Sequence, residues 1–287
     1  MVVNYEAGDL LTACVASLLA DDSAGTPEIV VVDNGSTDGS VTALQVAHPV
    51  VGVVVPGHNL GYAAAANVGI AATTAPVVVV CNPDLEVERG TAAAALARFA
   101  TEPDLAAVGP RIVNPDGSQY PSARRDPGMP DAVGHAFLGL IAPRNRFTRR
   151  YRELDADASR PRDVDWVSGA MIFLRRAALT SVGGWDDRYF MYLEDVDLCW
   201  RLRRLGWRVA YEPGGRATHL QGASTARVPY RMIVEHHRSA YRFAARRWHG
   251  VHRLLLLPAA VVLTVRAAAQ LVARVLGARP GRPQVSG

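Results

Sequence analysis

The segment Asn82-Pro83-Asp84 places an amide and a carboxylate two residues apart, directly after the apolar run Val77 to Cys81. With a rigid proline between them, both oxygens could share one hard divalent cation, Mg²⁺ or Mn²⁺, that also bridges two phosphate oxygens. The same tripeptide is common in ordinary turns. Its place at the end of a predicted buried strand is what favours a metal and diphosphate site.

A second polar segment, Asp33 to Gly39, follows the apolar run Glu28 to Val32. Ligands of open α/β sheets bind at the carboxyl ends of strands, so Asp33 could accept hydrogen bonds from a nucleobase or a ribose. The alternative is turn chemistry, with a helix cap from one of the polar side chains that follow. The loop lacks the glycine spacing of dinucleotide and ATP sites.

Three carboxylates crowd the start of a predicted helix at Glu194-Asp195-Val196-Asp197. Acidic side chains interact favourably with the amino end of a helix, and capping alone would explain them. One of them could instead be a general base that takes the proton from an attacking hydroxyl. Asp195 is the first choice for this base, and Glu194 is its nearest rival.

His219 follows an apolar strand predicted from Arg208 to Tyr211 and a turn predicted at Gly214-Gly215. A neutral imidazole would complete an oxygen-rich metal site. A lone histidine is more often a polar surface residue. His219 is therefore a candidate metal ligand only in combination with the other motifs.

Short apolar runs alternate with helical patterns through the first half of the chain. This alternation predicts βαβ units and a mainly parallel sheet with helices on both faces. Leu10 to Leu19 and the alanine-rich stretch Tyr62 to Ala72 have the composition and spacing of helices. The predicted strands are Met1 to Asn4, Glu28 to Val32, Val50 to Val55 and Val77 to Cys81.

From Asn114 the sequence becomes turn-rich, and the basic segment Arg144 to Arg152 predicts a mobile loop. Regular structure resumes with a strand predicted from Trp166 to Leu174. Two helices are predicted to follow, over Arg176 to Val182 and Asp195 to Leu205.

The composition is that of a folded protein, because 49% of the 287 residues are hydrophobic. Cys14, Cys81 and Cys199 lack the spacing of a metal cage and are expected to be small buried apolar residues in a reducing compartment. The start of the chain shows no secretory signal pattern, which predicts a protein that stays in the cytoplasm.

The charge is distributed unevenly. From Arg227 to the end, eleven arginines stand against one acid, Glu235, which gives this part a net charge of +10, whereas the whole chain carries +4. The rest of the chain therefore carries −6. Such a basic tail could meet nucleic acid or an anionic membrane surface, and the absence of any nucleic-acid-binding motif disfavours nucleic acid.

The tail contains an apolar segment, Leu254 to Leu276. As a helix, its uninterrupted part up to Val265 would be about 18 Å long, shorter than the ~30 Å hydrocarbon core of a bilayer. Its extension contains Arg266, Gln270 and Arg274 on one helical face, and each central arginine costs about 2.5 to 3.5 kcal/mol in a bilayer. An interfacial amphipathic helix is favoured over one that packs on the protein or one that spans the membrane.

Six ordered segments resemble glycosyltransferase family 2, and the resemblance covers roughly residues 1 to 225. They are Val31-Val-Asp33-Asn-Gly-Ser-Thr-Asp-Gly39, Asn59-Leu-Gly61-Tyr62, Asn82-Pro83-Asp84, Trp166-Val-Ser-Gly169, Gly183-Gly-Trp-Asp186 and Tyr192-Leu-Glu-Asp195-Val-Asp197. Within the family, Tyr120 to Arg124 and Tyr189 to Leu198 look like bacterial rhamnosyltransferases. The resemblance implies a Rossmann-like GT-A domain with a nucleotide-sugar half (1–112) and an acceptor half (113–225), followed by a basic, membrane-associating helical tail (226–287).

The resemblance also implies a metal-dependent, inverting transfer with roles for particular residues. Asp33 would bind the nucleobase, Asn82 and Asp84 the metal and diphosphate, Asp195 would be the base and His219 a further metal ligand. Where the family commonly has Asp-x-Asp, this chain begins with Asn82, and a neutral amide implies modest metal affinity and indirect ligation. Further implied substrate contacts are Asn4, Asn59, Gly61, Arg124, Trp166, Gly169 and Tyr192.

The implied partners are a dTDP-sugar, with dTDP-L-rhamnose the first choice, and a polyprenyl-diphosphate-linked N-acetylglucosamine used in cell-wall (arabinogalactan linker) biosynthesis. The implied place is the cytoplasmic face of the plasma membrane, peripherally bound. A galactofuranosyl- or other deoxysugar transferase and an inactive sugar-nucleotide-binding scaffold are the alternatives. A nucleotidyltransferase is disfavoured, because its glycine-rich basic signature is absent, and oligomerisation is left open.

Overall fold

The computed structural model of the chain describes residues 1–126, 145, 157–220 and 229–276. The strands in chain order are β1 (Val2–Asn4), β2 (Val30–Asp33), β3 (Gly52–Val54), β4 (Val77–Cys81), β5 (Leu85–Val87), β6 (Leu105–Val113), β7 (Ala123–Arg124), β8 (Arg162–Asp163), β9 (Trp166–Val167), β10 (Met171–Arg175) and β11 (Arg208–His219). The helices are α1 (Asp9–Ala20), α2 (Ser40–Ala47), α3 (Tyr62–Ala71), α4 (Thr91–Thr101), α5 (Arg176–Ser181), α6 (Glu194–Arg204), α7 (Pro229–Arg247) and α8 (Leu256–Val275), with a 3₁₀ helix at Gly250–Leu255.

The large central sheet has the strand order β3-β2-β1-β4-β10-β6-β11-β5, and β8 pairs with β11 at the side. Strands β3, β2, β1 and β4 are parallel, and Val2 of β1 pairs with Val31 on one side and Cys81 on the other. Strand β10 is antiparallel to both of its neighbours. The predicted mainly parallel sheet is confirmed, with an antiparallel strand inserted at its centre.

Helices cover both faces of the sheet, as predicted. One core packs α3, α5 and α6 against the sheet, with Ala66, Leu179 and Leu202 among its buried residues. The core on the opposite face packs α1, α2 and α4, and it includes Leu11 and Leu44. All three cysteines are buried, as the sequence predicted.

The prediction of one continuous strand from Trp166 to Leu174 is wrong. Strand β9 pairs with β7 in a separate two-stranded sheet, whereas β10 pairs with β4 and β6. Between them the chain leaves the ladder: the amide of Ser168 donates to the carbonyl of Ser122 (2.8 Å), and the carbonyl of Ala170 accepts from the amide of Asn82 (2.9 Å). Periodicity could not reveal the break, because the flanking residues are apolar on both sides.

Strand β11 is longer than predicted. The Gly214-Gly215 pair does not end it in a turn but lies in an irregular stretch, where its register against β6 shifts between Glu212 and Arg216. After this irregularity β11 continues to His219, which pairs with Leu85 of β5. The extension brings His219 beside Asp84.

Helix α7 docks on the domain formed by the preceding elements. Arg246 Nη1 donates to Asp186 Oδ2 (2.6 Å) and to Asp197 Oδ1 (2.9 Å), and the hydroxyl of Ser239 donates to the carbonyl of Met191 (2.9 Å). Asp197 is fully buried, so this ion pair is shielded from solvent. The predicted domain boundary at 225/226 and nearly all of the basic segment 144–152 lie outside the described residues, and both stay predictions.

Helix α8 packs along α7. In an interfacial helix the charged side would face water, but in α8 the charged side is the more buried one. Arg266, Gln270 and Arg274 are half-buried, as are Leu256, Val262, Leu263 and Leu271, whereas eight other large apolar residues of this segment are mostly exposed. From Gly250 to Val275 the helical segment is long and apolar enough to cross a membrane by length and composition, and its most apolar window has a mean hydropathy of 1.9. The large apolar residues of this segment that are more than half exposed are Val251, Leu254, Leu257, Val261, Val265, Val272, Val275 and Leu276.

Candidate active site

The carboxyl ends of β1 and β2 hold Asp33 in one orientation. Asn4 Nδ2 donates to Asp33 Oδ1 at 2.8 Å, and the backbone amide of Ser36 donates to Oδ2 at 3.1 Å. Asn4 is fully buried, and its amide also reaches the hydroxyls of Ser36 and Ser40. The structure therefore places Asn4 behind Asp33, where it orients the carboxylate.

Asn34 joins this loop to the start of α3, a function that the sequence analysis missed. Its side chain donates to Asn59 Oδ1 (3.0 Å) and to the carbonyl of Gly61 (3.1 Å), and it accepts from the amide of Leu60 (2.8 Å). The spacing of the Asp33-Asn34-Gly35 turn gave no signal for this, because the partners lie more than 20 residues away. Asn59 and Gly61 are thereby fixed beside Asp33.

Gly61 marks a close approach between α3 and the segment that precedes α6. Its φ of +85° favours glycine, and a Cβ atom there would lie 2.5 Å from the carbonyl oxygen of Phe190. The same carbonyl accepts a hydrogen bond from the amide of Tyr62 at 2.7 Å. The start of α3 and the segment leading to the acidic residues are thus in direct backbone contact.

Asn82, Asp84 and His219 come together at the next strand end. His219 Nε2 lies 3.1 Å from Asp84 Oδ1 and 3.5 Å from Asn82 Nδ2. Both Asp84 and His219 are buried. Strand pairing explains the contact, since β5 follows Asp84 and runs antiparallel to the end of β11.

These three side chains fit a divalent cation by the chemistry of their donors. A carboxylate oxygen, an amide oxygen available by rotation of Asn82 and an imidazole nitrogen are ligands that Mg²⁺ or Mn²⁺ accepts. Over the described ranges no group of three or more His, Cys, Asp or Glu side chains has a metal-binding arrangement. The protein would thus supply Asp84, His219 and the neutral Asn82 as ligands, and substrate oxygens would supply the others.

The break between β9 and β10 positions Asp195. The backbone amide of Gly169 donates to Asp195 Oδ2 and that of Val196 to Oδ1, both at 2.8 Å. On the other side, the carbonyl of Gly169 accepts from the Tyr62 hydroxyl at 2.6 Å. Gly169 is therefore the bridge between α3 and the acidic start of α6, and no pattern in the sequence indicated this role for Tyr62.

Glu194 and Asp195 are both buried but differ in their partners. Burial raises the pKa of Asp195, while the two amide hydrogen bonds and, less strongly, the Arg124 charge act in the opposite direction. Burial, followed by the negative charge of Asp195, raises the pKa of Glu194 well above its usual range. Glu194 Oε2 has no hydrogen-bond partner within the described part of the chain. Asp195 is the carboxylate equipped to stay ionised.

Tyr120 lies between the Asn82–Asp84–His219 group and the acidic group at Glu194 and Asp195. Its ring makes an edge contact with the His219 ring, with centroids 5.2 Å apart. Burial raises the pKa of Tyr120, the Arg124 charge lowers it, and Asp195 and Asp84 both raise it. Tyr120 thus lies within electrostatic reach of both groups, although the sequence analysis assigned it no role beyond its place in the Tyr120–Arg124 segment.

Arg124 and Trp166 are paired residues of the two-stranded β7–β9 sheet, and their side chains are in contact. The Arg124 guanidinium carbon lies 4.7 Å from the Trp166 ring centroid, and Arg124 Nε donates to the carbonyl of Pro121 at 2.8 Å. Trp166 is buried, and its Nε1 donates to the carbonyl of Arg125 at 3.2 Å. Trp166 therefore supports the Arg124 side chain.

Tyr192 and Leu193 precede α6 in a strained backbone conformation. Their φ angles are +70° and +61°, values that non-glycine residues rarely adopt and that cluster at functional sites. Burial raises the pKa of Tyr192 to about 12. Its ring makes an edge contact with His236 of α7, with centroids 5.3 Å apart, so α7 supports the loop that presents Glu194 and Asp195.

Most of the predicted site residues thus lie at three places along one edge of the sheet: the Asp33 loop, the Asn82–Asp84–His219 group and the Gly169–Asp195 pair. Arg124 and Trp166 lie in the separate β7–β9 sheet, and Tyr192 lies in the loop before α6. Two buried tyrosines connect these places, because Tyr62 bonds Gly169 and Tyr120 contacts His219. Such an edge can hold a charged ligand beside a buried base.

Solved structures with the same architecture are glycosyltransferases of the GT-A type. A mannosyltransferase of Pyrobaculum calidifontis, in complex with GDP-Man and Mn²⁺, superimposes with a TM-score of 0.55 over 99% of this chain and 80% of its own, at 19% identity. This level of identity supports the fold alone.

The chain belongs to glycosyltransferase family 2. The family model described as glycosyl transferase family 2 matches residues 1–183, and that of glycosyl transferase family group 2 matches residues 131–277. The protein is therefore an enzyme, an inverting glycosyltransferase.

Two relatives in Mycobacterium tuberculosis narrow the class further. The N-acetylglucosaminyl-diphospho-decaprenol L-rhamnosyltransferase is 39% identical over 262 residues, which are 87% of this chain and 84% of the relative. The pre-mycofactocin glycosyltransferase is 33% identical over 196 residues, which are 67% of this chain and 37% of that protein. The similarity to the rhamnosyltransferase thus covers most of both chains.

We predict that Gly61→Ala lowers both stability and turnover. A methyl group there meets the Phe190 carbonyl and adds the cost of a positive φ, so we expect a loss of about 1 to 3 kcal/mol in unfolding free energy and a lower kcat. Gly57→Ala is the matched control, because Gly57 has a φ of +89° with no atom within 4 Å of the added Cβ. Urea unfolding and steady-state kinetics measure the difference, and equal effects of the two variants would contradict the assigned contact.

Proposed function

We propose that this enzyme transfers L-rhamnose from dTDP-L-rhamnose to a polyprenyl-diphosphate-linked N-acetylglucosamine in cell-wall synthesis. The observation that carries the proposal is the buried Asp195 carboxylate, aligned by the Gly169 amide at the same sheet edge as Asp33 and Asp84. The extended similarity to an N-acetylglucosaminyl-diphospho-decaprenol L-rhamnosyltransferase supports this choice of donor and acceptor.

In the proposed reaction, Asp195 takes the proton from an acceptor hydroxyl as the hydroxyl oxygen bonds to the anomeric carbon of the donor sugar. The bond from that carbon to the dTDP oxygen breaks on the opposite face, so the anomeric configuration is inverted. Because the pKa of Asp195 is raised by burial, the carboxylate is a stronger base than an exposed aspartate. Glu194, whose pKa is raised well above its usual range by burial and by the Asp195 charge, is assigned as the protonated neighbour.

Asn82, Asp84 and His219 would hold a divalent cation. When bound, such a cation neutralises the diphosphate charge that develops as the donor bond breaks. The chain itself fixes these side chains through the β5–β11 pairing and keeps the His219 ring in place by the edge contact with Tyr120. Asp33, oriented by Asn4, is assigned to the nucleobase.

The proposed function is tested by giving the purified enzyme a panel of dTDP- and UDP-sugars with polyprenyl-diphospho-N-acetylglucosamine, with and without EDTA. We expect rhamnose transfer that EDTA abolishes and that Asp84→Ala lowers at least about 100-fold, since the carboxylate neutralises charge in a buried site. Asp104→Ala is the control, because Asp104 is an acid whose side chain is 55% exposed and pairs with Arg208. If the enzyme transfers another sugar faster than rhamnose, the donor assignment is wrong. If Asp84→Ala keeps full activity in EDTA, the metal role is wrong.

We also propose that the enzyme binds peripherally to the cytoplasmic face of the plasma membrane through α8. The inner side of α8 packs along α7, while Leu257, Val261, Val265 and Val272 point away from the protein with more than half of each side chain exposed. An apolar face of this size is unfavourable in water, and a lipid-linked acceptor lies in the membrane. The attachment is peripheral in this proposal, because α8 remains packed on α7 and carries the costly Arg266 near its centre.

We predict that the double variant Val261→Glu/Val265→Glu detaches the protein from phosphatidylglycerol-containing liposomes. Each lost valine contact is worth about 1.5 kcal/mol or more, so partitioning should fall at least about tenfold. Val46→Glu is the matched control, because Val46 is equally apolar and 81% exposed but lies on α2. Co-sedimentation measures the effect. Unchanged binding of the double variant, or an equal loss in Val46→Glu, would contradict the proposed membrane face.

A further inference from the structure

His237, on the side of α7 that is buried, has one ring nitrogen in use and one without a partner. Its Nδ1 lies 2.7 Å from the carbonyl oxygen of Ile233, which only accepts, so Nδ1 carries a proton. His237 is only 6% exposed, and its buried Nε2 has no hydrogen-bond partner in the described ranges. An orphaned buried nitrogen of this kind is costly and often marks a ligand position.

Arg266 of α8 is a second unpaired group at the same seam between the helices. Its Nε is buried without a hydrogen-bond partner among the described residues, and burial lowers the pKa of its guanidinium. Burial, and after it the positive charge of Arg266, lowers the pKa of His237, which places the two side chains within electrostatic reach. Over the described ranges no carboxylate pairs with Arg266, and a half-buried cation in that situation is unfavourable unless an anion joins it.

The two groups lie between the proposed membrane face and the active site. The His237 ring makes an edge contact with His236 (5.5 Å between centroids), and His236 makes one with Tyr192 (5.3 Å). Tyr192 immediately precedes Leu193 and the acidic pair at the start of α6. On the other side, Arg266 lies on the inner face of α8, whose outer face is apolar.

We propose that His237 and Arg266 form an anion subsite for the diphosphate group of a polyprenyl-diphosphate-linked acceptor. Arg266 Nε–H donates to one phosphate oxygen, and His237 Nε2 takes up a proton from solvent as the anion arrives and donates to another. The lipid tail then continues into the bilayer beside α8, and the sugar extends past Tyr192 towards Asp195. This subsite rests on the proposed function, since it assigns the residues that recognise its acceptor.

The direct test is the dissociation constant of farnesyl diphosphate, a short soluble polyprenyl diphosphate, measured by calorimetry on the full chain with dTDP and Mn²⁺ saturating the donor site. We expect His237→Gln and Arg266→Gln each to weaken binding about tenfold, which is ~1.4 kcal/mol. The double variant should lose less than the product of the two effects, because both groups contact one ligand. Arg238→Gln is the matched control, since Arg238 is the next residue on α7 and its side chain is 69% exposed.

Steady-state kinetics with farnesyl-diphospho-N-acetylglucosamine supplies the second readout. In the two glutamine variants we expect the KM for this acceptor to rise about tenfold while the KM for the donor stays within twofold. An unchanged acceptor KM and unchanged farnesyl diphosphate binding in the double variant, or equal losses in Arg238→Gln, would overturn the subsite. If the wild type binds farnesyl diphosphate through these residues but transfers no sugar, the proposed function fails and the subsite stands.

A phosphate of a membrane lipid headgroup offers the same chemistry, and liposomes distinguish it. We expect His237→Gln and Arg266→Gln to bind phosphatidylglycerol liposomes as well as Arg238→Gln does. If they lose liposome binding but keep the affinity for farnesyl diphosphate, the site holds a headgroup and the acceptor assignment is wrong.

Discussion

The hydrogen bond from the Gly169 amide to Asp195 is the interaction on which the active site depends. A carboxylate that is nearly fully buried would become protonated without such partners, and the two backbone amides from Gly169 and Val196 offset part of that burial. The Gly169 amide is free to make this bond because the chain leaves the sheet between β9 and β10. The carbonyl of Gly169 then receives the Tyr62 hydroxyl, which ties α3 to the same point.

The tail is part of this arrangement and not an appendage to it. Helix α7 bonds the loop before α6 through Ser239 and Met191 and fixes Asp197 through Arg246. The backbone strain at Tyr192 and Leu193 is thereby held by contacts from α7. Helix α8 packs along α7 in turn, so α7 links α8 to the loop before α6.

Much of the α/β fold could be predicted from the sequence, because strands such as β2 and β4 are continuous apolar runs. A polar segment follows each of these two strands directly and marks its end. The sequence also predicted the association of Asn82, Asp84 and His219, although only strand pairing between β5 and β11 reveals its geometry. The roles of Asn34, Tyr62 and Tyr120 could not be predicted, since each depends on contacts between residues far apart in the chain. Periodicity likewise placed a helix over α8 but could not show that its charged side would face α7.

The most direct test of the central claim is the pH dependence of kcat/KM in the wild type, Asp195→Asn and Glu194→Gln. A base with a raised pKa must lose activity as the pH falls through that value, so the acid limb of the wild type should lie above the ~3.9 of an ordinary aspartate. Asp195→Asn should lower kcat/KM by about 10² to 10⁴ and remove the limb, whereas Glu194→Gln, which replaces a protonated acid by a neutral amide, should keep most of the activity. An Asp195→Asn variant that retains both the rate and the acid limb would contradict the account.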